Sequence, residues 1–351
     1  MKNHRYYLLD IARGIAAFSI VIFHYKLFYY PDISLVYYDI KSQPFYNSLS
    51  LIYNHGWMAV QFFFIISGFI FYLLYSDKIK KNKISKFDFF KFRFSRLYPL
   101  HFLTLICCLI IFYFSKQQNF PYFINGDLKH FILNIFLIQK WGFENIESFN
   151  QPSWSISIEA LLYIVFFFVF TIKKNNFTLT IISLILSILI FFINKYIGYG
   201  LYCFYIGGLT YLIYKKIIFF KTNLKFNCIL TSIFMLVTVI LLYYIDNPLI
   251  MKIAVFSFLF PLIIINLMLI QFFFIKAGNF LSIIGDISYS VYLLHFVLLN
   301  IIKIIIINVD IKIDFNSILF FLSYLLFIFI CSCISFFYFE KPMQKIIRYH
   351  F

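Results

Sequence analysis

Residues Leu8 to Tyr25 read Leu-Leu-Asp-Ile-Ala-Arg-Gly-Ile-Ala-Ala-Phe-Ser-Ile-Val-Ile-Phe-His-Tyr, and this stretch decides the class of fold. It is apolar and long enough to cross roughly 30 Å of hydrocarbon as a helix, yet it contains Asp10, Arg13 and His24. A charged side chain inside a bilayer costs on the order of 2.5 to 3.5 kcal/mol, so it normally faces the interior of a helix bundle. The stretch therefore predicts a membrane-spanning helix that carries part of a buried polar site.

The rest of the chain has the same apolar character. It is 63% hydrophobic and only 13% charged, whereas a soluble domain is roughly half apolar. We predict an all-α integral membrane protein, a bundle of about ten transmembrane helices forming a single domain over residues 1–351. The stretch from Leu128 to Ile138 is too short to span and is predicted to be re-entrant or interfacial. The predicted spans lie near residues 6–30, 57–75, 97–115, 153–171, 177–194, 198–214, 228–245, 252–274, 287–307 and 317–338.

The formal charge of +16 is explained by membrane topology and not by a nucleic-acid partner. Lys and Arg residues cluster between the apolar runs and do not cover a soluble face. Assigning alternate loops to opposite sides puts about 20 of the 30 Lys and Arg residues on the side of the N-terminus, which is the cytoplasmic side by the positive-inside rule. We expect an uncleaved multi-pass protein in contact with the lipids of the cytoplasmic (inner) membrane, with both termini in the cytoplasm.

The six cysteines lie in or beside apolar runs, without the spacing of a zinc site. We therefore expect neither a disulfide framework nor a bound metal.

The ionisable residues of the first helix form one polar stripe. At about 100° per residue, Arg13 and His24 point within roughly 20° of each other, and Asp10 lies about 60° to one side. Arg13 and His24 are separated by roughly 16 Å along the helix axis. Histidine is the side chain whose ordinary pKa suits general base catalysis near neutral pH. The alternative is a structural Asp10–Arg13 pair with a histidine bonded to a neighbouring backbone.

Two further motifs have competing explanations. Ser67 and Gly68 in the second span let another backbone or a ligand approach, and helix packing is the favoured explanation. Arg93 and Arg96 lie one helical turn apart before the third span. Two guanidinium groups on one face can clamp phosphates, but from spacing alone positive-inside anchoring is the slightly favoured explanation.

The fourth span begins Pro-Ser153-Trp154-Ser155 and continues to Glu159. Ser155 and Glu159 share one helix face, and Glu159 is expected at a depth similar to that of His24. A carboxylate there could orient the imidazole, or it could be a structural group bonded to a neighbouring helix.

In the ninth span, Ser288, Tyr292 and His295 lie within about 60° of one another and form a second polar stripe. We expect His295 to be structural in preference to catalytic.

Taken together, these stretches resemble the acyltransferase family 3 membrane proteins, which O-acylate cell-surface carbohydrates. The most specific element is Arg-x10-His in the first helix. It is followed by Phe-x-x-Ser-Gly-Phe, Arg-x-x-Arg-Leu-Tyr-Pro, Ser-Trp-Ser-x-Ser-x-Glu and Ser-Tyr-Ser-x-Tyr-Leu-Leu-His, in that order. The resemblance covers nearly the whole chain.

The resemblance implies ten transmembrane helices, a cytoplasmic acyl-CoA donor and an acceptor hydroxyl on the outer side. It implies that Arg13 and His24 are the essential pair, that Arg93 and Arg96 bind the donor, and that Glu159 is the acidic residue of the fourth-helix motif. Many members carry a second acidic residue where this chain has Ala160. Supporting or substrate-binding roles are then expected for Asp10, Ser67, Gly68, Ser153, Trp154, Ser155, Tyr292 and His295.

The activity implied is transfer of an acyl group, expected to be acetyl from acetyl-CoA, to a cell-surface saccharide such as O-antigen lipopolysaccharide, capsule or exopolysaccharide. His24 is either the general base for a sugar hydroxyl or the carrier of an acyl-histidine intermediate. Some members carry a fused SGNH-type hydrolase domain. This chain is expected to lack one, and so to acylate its acceptor directly or together with other glycan-assembly proteins.

A secondary transporter, or a flippase for a saccharide or lipid-linked saccharide, is the competing class, because intramembrane Arg, His and Glu also form transport pathways. It predicts inverted repeats with interrupted helices, and the sequence shows no such repeats.

Overall fold

A computed structural model of the protein describes residues 5–29, 39–117, 126–172, 174–219, 223–274, 278–309 and 311–350. These residues are predominantly helical, and no strand occurs among them. The α-helices are α1 Tyr7–His24, α2 Tyr46–His55, α3 Ala59–Phe71, α4 Asp77–Lys80, α5 Lys86–Gln117, α6 Leu128–Ile135, α7 Trp154–Thr171, α8 Asn176–Ile193, α9 Lys195–Phe219, α10 Leu224–Tyr243, α11 Pro248–Ala254, α12 Phe260–Phe273, α13 Ser282–Asp286, α14 Ser288–Asn308, α15 Ile318–Ser335 and α16 Lys341–His350.

Nine helical segments in the described part of the chain are long and apolar enough to cross a membrane. Short 3₁₀ or π-helical turns join several α-helices into one continuous span. The nine segments are Tyr7–Tyr29, Tyr46–Lys80, Lys86–Phe114, Gln151–Thr171, Asn176–Ile193, Leu224–Tyr243, Pro248–Phe273, Ser288–Asn308 and Ile318–Tyr349. The predicted all-α membrane fold is confirmed, and the protein is a multi-pass membrane protein. Residue 30, the predicted end of the first span, lies outside the described residues.

The sixth predicted span, 198–214, lies within α9, which has 25 residues. Its glycines and tyrosines make it less apolar than the other spans, and it is not among the nine. Most of its middle portion is buried by other helices of the protein. A helix that is shielded from lipid does not need a lipid-compatible surface, which explains its composition.

Helix α6 has eight residues, which is too short to cross a bilayer; its re-entrant or interfacial placement stays a prediction. The side chain of Asp127 caps the first turn by accepting a hydrogen bond from the backbone N–H of His130.

The chain divides into two compact units. The first takes the described residues of Met1–Ile15, Val60–Lys86 and Leu161–Gly285, and the second takes those of Ala16–Ala59, Phe87–Ala160 and Asp286–Phe351.

Within the first unit, α3 and α9 pack with their backbones close together. A Cβ atom at Gly68 would lie 1.8 Å from the carbonyl oxygen of Phe204, and one at Gly207 would lie 2.0 Å from that of Ile65. Only glycine fits at either position, as is typical of closely packed membrane helices.

Within the second unit, the end of α1 is anchored to α14 and to the residues that precede α15. Tyr25 is fully buried, and its hydroxyl donates a hydrogen bond of 2.8 Å to the carbonyl oxygen of Phe315. The buried ammonium group of Lys303 on α14 donates to the carbonyl oxygen of Leu27 at 2.8 Å. These bonds fix the chain immediately after His24, the last residue of α1.

Candidate active site

Two histidines meet in the second unit. Nδ1 of His24 lies 2.9 Å from Nε2 of His295, and the two rings stack with an interplanar angle of 12° and centroids 5.1 Å apart. His295 is fully buried, whereas His24 is half-buried. Of the two rings, His24 is therefore the more exposed.

The protonation pattern of this pair follows from one backbone carbonyl. Nδ1 of His295 lies 3.2 Å from the carbonyl oxygen of Val291. A carbonyl only accepts hydrogen bonds, so Nδ1 of neutral His295 carries the proton and its Nε2 is an acceptor. Nδ1 of His24 must then be the donor in the contact between the rings. The lone pair of neutral His24 is consequently on Nε2, the nitrogen that could accept a proton from a substrate.

Hydrogen bonds also connect the start of α7 to α14. The hydroxyl of Tyr292 donates to the carbonyl oxygen of Pro152 at 2.7 Å and lies 2.7 Å from Oγ of Ser155. The side-chain amide of Asn150 donates to the carbonyl oxygen of Leu293 at 3.1 Å. The serine motif of the fourth span and the tyrosine–histidine motif of the ninth span are thus one hydrogen-bonded assembly.

Ser153 and Trp154 lie where α7 begins. Ser153 is buried and donates to the side-chain oxygen of Asn134 at 3.3 Å, while Trp154 is the first residue of α7. Trp141 donates from its indole N–H to the carbonyl oxygen of Ser157 at 2.9 Å. The residues around α6 therefore hold the first turn of α7 in place.

Glu159 lies on α7, four residues after Ser155, and is half-buried. The sequence suggested this carboxylate as a group that orients His24, but the hydrogen bond at Nδ1 of His24 joins it to His295. His295 was expected to be structural, and the sequence did not predict its contact with His24. The shared face of Tyr292 and His295 indicated a polar stripe without indicating its partner.

Arg93 and Arg96 lie in the first third of α5, in the same unit. Arg93 is 9% exposed and Arg96 is half-buried. A guanidinium group that is largely withdrawn from water is an unusual anchor for a membrane surface, and donor binding by Arg93 stays a prediction.

The remaining predicted residues lie in the first unit. Asp10 accepts from Arg5 at 2.9 Å and forms an ion pair of 3.5 Å with Arg13. The Asp10–Arg13 pair considered in the sequence analysis is thus present. Gly68 and its neighbour Ser67 belong to the close packing described for α3.

A second polar cluster in the second unit was not predicted. The side-chain amide of Asn134 donates to Oγ of Ser148 at 2.8 Å, and Ser148 donates to the buried carboxyl of Glu144 at 2.6 Å. The ring of His101 on α5, fully buried, bonds to the carbonyl oxygen of Asn134 at 2.8 Å. Burial raises the pKa of Glu144, although the hydrogen bond from Ser148 opposes this shift.

In the described ranges, no three His, Cys, Asp or Glu side chains converge as metal ligands.

Comparison with known proteins identifies relatives for parts of the chain. Acyltransferase MdmB of Streptomyces mycarofaciens is 34% identical over 114 residues, which is 32% of this chain and 27% of that protein. O-acetyltransferase OatA of Staphylococcus aureus (strain NCTC 8325 / PS 47) is 33% identical over 159 residues, or 40% of this chain and 26% of that protein. The matched regions thus span about a quarter of each of these two relatives.

Protein 2 in the picA locus of Rhizobium radiobacter is 35% identical over 101 residues, or 29% of this chain and 42% of that protein. No solved structure matches the chain. The family model described as an acyltransferase domain, acyltransferase 3, matches residues 6–337. This match covers nearly the whole chain, and the protein therefore belongs to the acyltransferase 3 family.

Proposed function

We propose that the protein is an O-acetyltransferase of the bacterial cytoplasmic membrane. It moves an acetyl group from cytoplasmic acetyl-CoA to a hydroxyl of an extracytoplasmic cell-surface saccharide, such as lipopolysaccharide O-antigen, capsule or exopolysaccharide. Membership of the acyltransferase family supports the reaction class, and the O-acetyltransferase among the relatives supports acetyl as the group and oxygen as the acceptor atom. The intramembrane histidine supports catalysis by this chain.

The observation that carries this proposal is the hydrogen bond of 2.9 Å between Nδ1 of His24 and Nε2 of His295. Because the carbonyl of Val291 fixes the tautomer of His295, Nε2 of His24 is the basic nitrogen. His295 acts as a positioning residue, in that it orients the His24 ring and accepts the proton of Nδ1. This arrangement also stabilises His24 when its second nitrogen becomes protonated.

The proposed reaction is a direct transfer of the acetyl group from CoA to the acceptor oxygen. Nε2 of His24 removes the proton from the acceptor hydroxyl while that oxygen attacks the thioester carbonyl carbon. A carbon–oxygen bond forms, the carbon–sulfur bond breaks, and the CoA thiolate takes the proton from His24. In the alternative, the same nitrogen attacks the thioester carbonyl carbon first, the carbon–sulfur bond breaks, and CoA leaves as the thiolate while His24 carries the acetyl group as acyl-imidazole. The acceptor hydroxyl then attacks that acyl carbon, the carbon–nitrogen bond breaks, and the hydroxyl proton passes to the CoA thiolate.

Donor binding is assigned to Arg93 and Arg96. Guanidinium groups bind phosphates through paired hydrogen bonds, and the CoA moiety is rich in phosphate. With successive spans running in alternate directions, as the sequence predicts, the start of α5 and the end of α1 would lie on opposite faces of the membrane. The pantetheine arm would then bring the thioester from the arginines toward His24. We also assign donor binding to Arg13, which the family motif implies to be essential.

The substrate class is tested by the mass of the surface glycan from cells with and without this protein. The proposal predicts the loss of acetyl units from the repeating saccharide and the recovery of those units when the wild-type chain is restored. An identical acetyl content in both strains, with the protein present in the membrane, would argue against a cell-surface saccharide as the acceptor.

A further inference from the structure

Helix α16, at the end of the chain, lies beyond the residues matched by the family model. It contains Lys341, Lys345 and Arg348 and no acidic residue. Lys345 is exposed, whereas Arg348 is half-buried. Lys345 and Arg348 thus lie on the same short helix in different surroundings, and of these two only Arg348 packs against the protein.

The position of Arg348 is fixed by hydrogen bonds on two sides. Its Nε donates to Oγ of Ser95 at 3.0 Å, and its Nη2 donates to the side-chain oxygen of Gln344 at 3.3 Å. Gln344 in turn donates to the buried carboxylate of Glu340 at 3.1 Å, which also accepts from Ser290 of α14 at 2.7 Å. The hydrogen bonds therefore hold the Arg348 side chain in one position, whereas a surface cation without such bonds rotates freely.

Ser95 lies between Arg93 and Arg96 in the sequence of α5, so its bond with Arg348 attaches α16 to the turn of α5 that carries the arginine pair. The Arg348 guanidinium also lies 6.0 Å above the ring of Phe92. At about 100° per residue, the order around α5 is Ser95, Phe92, Arg96 and Arg93, with Arg96 about 40° from Phe92. The contact points of Arg348 and the positions of Arg96 and Arg93 thus follow one another along an arc of about 160° around the helix.

Three arginines that reach the same two turns of α5 from different sides concentrate positive charge there, and a ligand with more than one phosphate group suits such a surface. CoA has two such groups, a diphosphate next to the pantetheine arm and a 3′-phosphate on the ribose at the other end. Exposure to solvent increases along the arc, since Arg93 at one end is buried and Arg348 at the other end is half-buried. The arm that enters the protein belongs at the buried end, and the ribose belongs at the more exposed end.

We propose that Arg348 binds the 3′-phosphate of CoA, while Arg93 and Arg96 bind the diphosphate. This inference rests on the proposed acetyl-CoA donor and adds to it a residue that selects CoA over CoA without the 3′-phosphate. Ser95 and Gln344 are positioning residues that hold the guanidinium in place. An anionic lipid headgroup offers the same phosphate chemistry, and the experiment distinguishes that source.

The test is equilibrium binding of CoA and of 3′-dephospho-CoA to the full-length protein in phosphatidylcholine nanodiscs. Wild type should prefer CoA. Arg348→Gln should lose roughly tenfold or more in affinity for CoA, as expected for a charge-assisted hydrogen bond, and should bind 3′-dephospho-CoA as wild type does. Lys345→Gln, which removes the exposed cation of the same helix, should change neither affinity. Arg348→Lys should keep part of the preference for CoA.

Wild-type protein without a preference for CoA, or an Arg348→Gln loss that is equal for both ligands, would overturn the inference. It would also be overturned if phosphatidylglycerol nanodiscs removed the preference, since a lipid headgroup would then occupy Arg348. Failure of the proposed donor site gives a different result. In that case Arg93→Gln and Arg96→Gln would bind both ligands as wild type does, whatever Arg348→Gln shows.

Discussion

Nε2 of His295 accepts a hydrogen bond of 2.9 Å from Nδ1 of His24, and this contact joins residues that are 271 positions apart in the chain. It gives the intramembrane histidine of α1 a defined tautomer, because the opposite nitrogen of His295 faces a backbone carbonyl. A basic nitrogen with a fixed direction is what proton transfer from a hydroxyl requires. The family motif in the first helix thus has a structural partner in the ninth predicted span.

Replacement of His295 should impair transfer through its effect on His24. We expect His295→Ala to lower kcat by about one to two orders of magnitude, because the proton on Nδ1 of His24 loses its acceptor. His295→Gln should recover part of the loss, since a side-chain carbonyl can accept the same hydrogen bond. The measurement is acetyl transfer by purified protein at saturating acetyl-CoA.

The matched control for this prediction is His101→Ala, which removes another fully buried histidine of the same unit. It should lower thermal stability and leave kcat of the folded fraction near the wild-type value. Equal losses of kcat in the two alanine variants, without recovery by Gln, would show that His295 is merely structural.

Gly68 should be needed for folding and not for chemistry. A Cβ atom there would lie 1.8 Å from the carbonyl oxygen of Phe204, so Gly68→Ala forces α3 and α9 apart. Overpacking of this kind costs about 1 to 3 kcal/mol. Thermal unfolding in detergent should show a lower midpoint for Gly68→Ala and a smaller change for Ser67→Ala, which removes atoms. An unchanged midpoint for Gly68→Ala would contradict the close packing.

Glu144 should make stability depend on pH. Burial raises its pKa above the ordinary value of 4.5, so the folded protein holds this proton more tightly than the unfolded chain does. Above pH 4.5 the free energy of unfolding should therefore fall as pH rises, until the folded-state pKa is passed. The measurement is the unfolding midpoint as a function of pH, and Glu144→Gln should flatten that dependence.

Asp127→Asn provides the control for Glu144. The hydrogen bond from the backbone N–H of His130, followed by that from its ring, lowers the pKa of Asp127 from 3.8. Its contribution to stability is lost only below that value, as pH falls through the folded-state pKa. Asp127→Asn should leave the slope above pH 4.5 unchanged. A Glu144→Gln protein with the wild-type slope would mean that another group titrates there.

The helices could be predicted from the sequence because hydrophobicity over about 20 residues is a local property. Helix α9 marks the limit of this approach, since its glycines and tyrosines make sense only once its burial is known. The motifs indicated which residues lie in polar stripes but not which stripes meet. The bond between His24 and His295, and the cluster of Asn134, Glu144 and Ser148, each depend on tertiary packing of separate segments.

Acetyl transfer by the His24→Ala protein in proteoliposomes tests the central claim most directly. With labelled acetyl-CoA outside and a saccharide acceptor inside, the account predicts that the rate falls by roughly 10²-fold or more. CoA binding should stay at the wild-type value, and His55→Gln, at the end of α2, should transfer acetyl as wild type does. Transfer by His24→Ala at the wild-type rate would contradict the role of His24.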